Sequence, residues 1–270
     1  MIPAQFEYIA AESAVDALDL LAEYGDDAKL LAGGHSLLPM MKLRLATPAV
    51  LIDIGGLAEL AGITADGDEL VIGATTRHAD LAASELAQSE APLLAYAAAQ
   101  VGDPQVRHRG TIGGSLSHAD PAADLPMALV ALGGSVVLQG PGGTRTVSAD
   151  DFFEGFFETA LQPDELLVAV RVPRRPGVPW GYQKFVRRSN DWAIVGVATV
   201  AGRIALANMG PKPLRAAAAE EALAGGASAE QAAERAADDT SPGEDMHADR
   251  EYRRHLARVL TRRALEHQVG

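Results

Sequence analysis

Apolar positions in the first fifth of the chain fall into two short runs and one helical stripe. Ser13-Ala14-Val15-Asp16 sets a hydroxyl three residues ahead of a carboxylate, the spacing of a capping box. Leu18, Leu21 and Ala22 follow as its apolar face, and Gly25 stops the helix. Lys29 to Ala32 and Val50 to Ile54 are continuous apolar runs of strand length. Between them Ser36 to Lys42 predicts a helical turn, because a proline such as Pro39 is tolerated near a helix start. Residues 1–55 therefore read as alternating β and α elements in a small mixed layer.

The next stretch is richer in strands. Glu69 to Gly73 predicts a strand, with Thr75 or Thr76 capping a helix that runs from His78 to Ala83. Pro92 to Val101 is an Ala-rich helix ending at Gly102-Asp103-Pro104, and Pro121 to Leu132 suits another. Ser135 to Leu138 and Thr144 to Val147 flank Pro141-Gly142-Gly143 as a hairpin, and Glu165 to Val172 reads as a further strand. Pro173-Arg174-Arg175-Pro176-Gly177 then breaks the pattern and predicts a domain boundary. Beyond it, Tyr182 to Val186, Ala193 to Val200 and Arg203 to Ala207 predict antiparallel strands. Ala217 to Ala237 reads as helix, Asp238 to Gly243 as an exposed loop, and Tyr252, Leu256, Val259, Leu260 and Arg263 as one face of a terminal helix.

Charge and composition narrow the function. The net charge is −13 over 270 residues, so no basic face is available for nucleic acid or an anionic membrane surface. No 18-residue apolar run occurs, and the N-terminus lacks the basic region of a secretion signal. The chain has no cysteine, which removes disulfides, thiolate zinc sites and cysteine-held iron–sulfur clusters. These features predict a soluble cytoplasmic protein of two or three subdomains.

Two glycine pairs sit in near-matching frames, Ala32-Gly33-Gly34-His35-Ser36 and Thr111-Ile112-Gly113-Gly114-Ser115. Adjacent glycines allow positive φ and bring bare N–H groups close to a ligand, and successive amides facing one way make an anion-binding concavity. Two such loops suggest a phosphate-bearing ligand gripped from both sides; two tight turns are the simpler alternative. Neither loop has the three spaced glycines of a Rossmann motif or the Lys-Ser/Thr of a P-loop. Downstream, His118, Asp120 and Asp124 admit a metal site, contacts to a ribose or pyrophosphate, or simple helix capping by Asp120. Arg107-His108-Arg109 and Arg187-Arg188 are local positive spots, useful beside an anionic ligand and otherwise solvated. No nucleophile elbow G-x-S-x-G is present.

Longer strings carry a resemblance. Ala32 through Leu37-Leu38-Pro39-Met40-Met41-Lys42-Leu43-Arg44, the second glycine loop, and Asp120-Pro121-Ala122-Ala123-Asp124-Leu125-Pro126 resemble the FAD-binding medium subunits of the molybdenum hydroxylases. Within that family the chain is most similar to those of aerobic carbon monoxide dehydrogenases. The similarity continues through Gly102 to Arg107, Glu165 to Pro173 and Asp191-Trp192-Ala193, and is weakest in the helical tail. It implies an α+β fold: a vanillyl-alcohol-oxidase (PCMH)-type FAD-binding domain of two α/β subdomains, residues 1–55 and 56–176. Residues 177–270 would form a C-terminal domain with a three-stranded antiparallel sheet and a helical bundle.

The same resemblance assigns site residues. Ala32, Gly33, Gly34, His35, Ser36 and Leu37, with Thr111, Ile112, Gly113, Gly114 and Ser115, would hold the FAD pyrophosphate through backbone amides. Asp124 would match an FAD-contacting acid, Leu167 an adenine-side contact, and Lys184 a residue near the isoalloxazine. Trp192 stands where the family often has Tyr or Phe close to the flavin. No catalytic residue and no metal ligand is assigned to this chain. The partners implied are a large subunit with the molybdenum cofactor and a small subunit with iron–sulfur clusters, two copies of each. Electrons would reach FAD from the clusters and leave to an external acceptor such as a quinone, at the inner face of the membrane. Alternatives are a medium subunit of a xanthine, aromatic or N-heterocycle hydroxylase, a free-standing flavin oxidase, and a non-catalytic nucleotide-binding module.

Overall fold

The computed structural model describes residues 2–270. Its first sheet is parallel: β1 (Glu7–Ala10), β2 (Ala28–Leu31) and β3 (Val50–Asp53) lie in the order β1-β3-β2. Parallel neighbours need crossovers. Helix α1 (Ala14–Tyr24) makes the first and α2 (Leu37–Lys42) lies in the second. β1 escaped the apolar pattern because it is an edge strand with Glu7 and Tyr8 exposed. Ser13 does cap α1, accepting from the Asp16 amide at 3.0 Å, but the Asp16 carboxylate bonds the Glu12 amide rather than closing the box on Ser13. The buried face of α1 is Ala14, Ala17 and Leu21; Ala22 faces solvent.

The second sheet is antiparallel and lies over the largest part of the core. Strands β4 (Ile63–Asp66), β5 (Glu69–Gly73), β6 (Ser135–Gly140) and β7 (Gly143–Ser148) belong to it, while β8 (Phe153–Gly155) and β9 (Glu158–Thr159) form a separate small hairpin. β10 (Leu166–Pro173) completes the order β4-β5-β10-β6-β7. The β6–β7 hairpin turns at Pro141 and Gly142, with Gly143 of the expected turn already paired to Gly140 as the first residue of β7. Helices α3 (His78–Ala83), α4 (Glu85–Glu90), α5 (Pro92–Gln100), α6 (Pro104–Arg109), α7 (Ile112–His118), α8 (Asp124–Leu132) and α9 (Ala149–Phe152) surround it. Neither Thr75 nor Thr76 caps α3: the Thr76 hydroxyl bonds Gly62, and the cap position belongs to Arg77. Every residue of α8 is buried, and it starts at Asp124 because Asp120 to Ala123 form a turn instead.

The third sheet has four strands rather than three. β11 (Trp180–Phe185), β12 (Val195–Val200), β13 (Arg203–Ala207) and a two-residue β14 (Leu214–Arg215) pair antiparallel in sequence order. The Ala-rich stretch after it breaks at Gly225-Gly226 into α10 (Ala217–Ala224) and α11 (Ala229–Glu234), the latter opened by a Ser228/Gln231 capping box. The final helix α12 (Arg250–Glu266) buries Arg253, Leu256, Ala257, Leu260, Thr261 and Ala264. Tyr252 and Arg263, expected on that face, are exposed. Residues 238–243 are mostly exposed, with Thr240 and Pro242 turned inward. Among the described residues no helix is long and apolar enough to cross a membrane.

Candidate functional site: two abutting glycine loops and a buried ion pair

The first glycine loop leaves the C-terminal end of β2 and runs into α2. Of the four paired glycines only Gly34 takes positive φ, at +74°. Gly33 answers a different need: a Cβ there would collide with the Arg109 carbonyl oxygen and lie 2.8 Å from the Gly110 Cα. Its backbone therefore presses against the residues that lead into the second loop. Among the described residues, the amides of Gly33, Gly34, His35, Ser36 and Leu37 have no hydrogen-bond acceptor. Unpaired amides on adjacent residues are a cradle for anionic oxygens. His35 bonds the Gly33 carbonyl through Nδ1 at 3.1 Å and does not serve Ser36 as a base.

The second loop is built differently. Thr111 caps α7, its hydroxyl accepting from the Gly114 amide at 3.2 Å, so both glycines are helical. The Ile112 amide bonds Thr76 (3.0 Å), that of Gly113 bonds Ala74 (2.8 Å), and that of Ser115 bonds Thr111 (3.0 Å). The expected second amide cradle is thus already occupied by protein carbonyls. What this loop presents outward is an exposed Gly114 without a side chain and the half-buried Ser115. Gly113 is required by packing, since a Cβ would lie 2.7 Å from that of Ala74.

Residues between the loops hold them in place. Arg107 donates to the carbonyls of Val101 (3.0 Å) and Gly102 (3.2 Å), and Asp103 caps α6. His78 lies buried behind Gly110 with its pKa pushed down to about 4, first by burial and then by the nearby His35 and Arg107. A cavity of about 290 Å³ opens beside this junction, lined by Gly55, Gly56, Gly62, Thr75 and Arg77 among others. The Thr75 hydroxyl on its wall is buried and has no partner. Gly55 also approaches the first loop, where a Cβ would come within 3.0 Å of the Ala32 carbonyl.

The other half of the site is a buried ion pair. Asp124 opens α8, where the positive end of the helix favours a carboxylate. Its side chain is 3% exposed, and the Lys184 ammonium on β11, 9% exposed, meets it at 2.9 Å. Lys184 also donates to the Gln100 carbonyl at 3.2 Å, and the Tyr182 hydroxyl donates to the other carboxylate oxygen. Burial raises the Asp124 pKa against the opposing pull of Lys184 and Tyr182. The Tyr182 pKa is raised too, by burial and then by the Asp124 charge. Tyr182 and Gln100 were missing from the sequence reading; Tyr182 could have been found, because residues two apart on a strand share a face.

The remaining expected residues are more scattered. Leu167 is 3% exposed within the central core, so its side chain offers no open surface. Trp192 is 57% exposed on the β11–β12 connection. The Asp120 carboxylate bonds the Ala122 amide at 2.8 Å, a turn-stabilising role, and its pKa is raised by burial. His118 packs on the Phe157 ring. Among the described residues no three His, Cys, Asp or Glu converge to hold a metal ion. The parts that do come together are five free amides, the exposed Gly114 on α7 and a buried charge pair, joined by the segment from Gln100 to Gly110. Such an arrangement can bind a long ligand with a diphosphate; the unpaired amides and the orphan hydroxyl of Thr75 fit a dinucleotide.

Comparison with known proteins supports the same ligand. Residues 4–175 match the family described as the FAD binding domain in molybdopterin dehydrogenase, and residues 180–268 match the CO dehydrogenase flavoprotein C-terminal domain. The chain is 46% identical to a carbon monoxide dehydrogenase medium chain from Hydrogenophaga pseudoflava, over 98% of this chain and 97% of that one. It is 39% identical to the nicotine 6-hydroxylase medium subunit of Paenarthrobacter nicotinovorans, over 96% and 95%. A solved carbon monoxide dehydrogenase from H. pseudoflava, lacking the Mo-pyranopterin moiety of its molybdenum cofactor, superposes with a TM-score of 0.94 at 48% identity, covering 98% of both chains. This chain belongs to the FAD-binding subunits of the molybdenum hydroxylases.

Proposed function

We propose that the chain is the electron-transfer flavoprotein subunit of a molybdenum hydroxylase that oxidises carbon monoxide. A large subunit would carry the molybdenum cofactor and the substrate. A small subunit would relay electrons through iron–sulfur clusters, and this chain would pass them to an external acceptor such as a quinone. The assembly would be a cytoplasmic dimer of heterotrimers, held at the membrane through its partners. The observation that carries the substrate is the 46% identity to a carbon monoxide dehydrogenase medium chain over nearly the full length of both. The lack of cysteine supports placing the clusters on another chain.

Bound FAD supplies the electron-carrying chemistry, and the protein binds and orients it. In this reading the amides of Gly33 to Leu37, with Ala32 behind them, hold the pyrophosphate. Thr111, Ile112 and Gly113 fix α7 so that Gly114 and Ser115 border it. Asp124 and Lys184 lie at the isoalloxazine end. An ammonium has three donors; Asp124 and Gln100 take two of those on Lys184, leaving one for the ligand. Leu167 backs the adenine side from within the core, and the exposed Trp192 offers its ring to the flavin edge. Residues 1–55 and 56–176 form the two halves of the FAD domain, and residues 177–270 deliver Lys184 and Trp192.

The test is to purify the chain with whatever assembles on it, then measure flavin content and substrate-dependent reduction of an artificial acceptor. Flavin near one per chain with carbon monoxide as reductant supports the whole reading. The 39% identity to a nicotine hydroxylase subunit favours one second reading, that an N-heterocycle is the substrate. Activity with an N-heterocycle and none with carbon monoxide would select it. A folded complex with no flavin would refute both.

A further inference from the structure

We propose that His78 is a positioning residue that sets the spacing of the two glycine loops, and with it FAD retention, by propping the backbone of Gly110. The proposal rests on the FAD reading above and adds a residue which that reading does not use. His78 is the first residue of α3 and only 4% exposed. Its amide donates to the Gly110 carbonyl at 2.9 Å. Its ring lies against the same residue: a Cβ on Gly110 would come within 2.8 Å of both Cδ2 and Nε2, with the Val106 carbonyl oxygen the next neighbour at 3.1 Å. Gly110 in turn lies against Gly33 of the first loop, whose own added Cβ would fall 2.8 Å from the Gly110 Cα.

The result is a stack of three layers: imidazole, Gly110 backbone, Gly33 backbone. No side chain lies between the layers to absorb a change, so the volume at position 78 transmits to the first loop. Close-packed interiors pass on such changes because they have few voids to take them up. The residues before His78 pin the second loop as well: the Thr76 carbonyl accepts from the Ile112 amide at 3.0 Å, and Arg77 pairs with Thr111 in an isolated bridge. One short segment thus fixes the start of α7 on one side and the amide cradle on the other. The ring acts by shape. Its Nδ1 is buried without a hydrogen-bond partner, and the charged groups that face it are His35 on the first loop and Arg107 on α6.

The experiment is a double-mutant cycle in the full chain with His78→Ala, Gly110→Ala and the pair together. FAD dissociation constants are read by flavin fluorescence, the environment of bound flavin by visible circular dichroism, and folding by far-ultraviolet circular dichroism. Each single change is expected to weaken FAD about tenfold or more, one by removing the prop and the other by colliding with it. In the pair, the new methyl enters the space the ring has left, and affinity should return to within about threefold of the starting chain. Losses that simply add, or folded single variants that hold FAD like the parent, would overturn the proposal. If His78→Ala does not fold, His78→Leu keeps nearly the same side-chain volume and removes both nitrogens. Retained affinity and an unchanged flavin dichroism support the prop, and a tenfold loss would overturn it. A parent chain that takes up no FAD would instead sink the functional reading, so the two failures are separable.

Discussion

Replacing Lys184 with Met isolates what the buried ion pair does. The change keeps most of the side-chain length but leaves Asp124, 3% exposed, without its cation. Breaking a buried pair by removing one partner costs about 3–5 kcal/mol, because a charge is left uncompensated. Protonation limits that cost here. The folded protein can always hold Asp124 as the neutral acid, at about 1.4 kcal/mol for each pH unit above its unfolded pKa of about 3.9. At pH 7 the ceiling is therefore about 4 kcal/mol, and at pH 5 about 1.5 kcal/mol. The sign follows from proton binding: in the variant the folded state binds the proton more tightly than the unfolded chain, so its deficit shrinks as pH falls. Urea unfolding of parent and variant at both pH values measures this directly. Asp124→Asn in the Lys184→Met background should recover most of the loss and remove its pH dependence. A deficit equal at the two pH values, or no deficit at all, would refute the account of the pair.

Three further outcomes follow from the geometry. Gly33→Ala should reduce flavin content sharply, because the new methyl meets the rigid Arg109 carbonyl, and Gly113→Val should do the same against Ala74; flavin absorbance per chain checks both. His78, with a folded pKa near 4 against 6.5 when unfolded, binds protons less readily in the native state. Stability should therefore be flat above about pH 7, fall by about 3 kcal/mol between pH 6.5 and 4, and level off below, with His78→Phe removing that component of the denaturation profile. Trp192→Ala should leave the unfolding free energy within about 0.5 kcal/mol of the parent, since the side chain is largely in solvent, so any change in flavin signal would report on the ligand alone.

Much of the scaffold is legible in the sequence because its signals are local. The strand Glu69 to Gly73, the β6–β7 hairpin and the end of β10 at Pro173 are all marked by apolar runs ending in glycine or proline. Helices α6 and α7 were missed, although Asp103-Pro104 and Thr111 carry good capping chemistry, because glycines and charges replace the apolar stripe that marks a helix. The face of α12 was misjudged because Arg253 is buried, bonding the Ile194 carbonyl and Asp245, a partnership that spans other elements. The two glycine pairs look alike in one dimension and differ in three. Whether an amide is free depends on what lies opposite it, and for α7 that is Ala74 and Thr76, some forty residues upstream. Asp124 stands out among the polar residues after the second loop, but Lys184 came from resemblance alone, and their sixty-residue separation gives no local cue to the pair.

Helix α8 bears on how the molecule comes into being. It is buried along its whole length, and residues of β12 and β13 such as Ala198, Val200, Ala205 and Ala207 belong to the same core as Leu125, Leu129 and Leu132. A nascent chain released only as far as residue 176 would expose that face and hold Asp124 without Lys184. The ribosome must therefore deliver at least β11 to β13 before the central core can close. A chain ending at residue 176 would lack both the strands that cover α8 and the Lys184 partner of Asp124, so binding of the cofactor to it should be weaker than to the full chain.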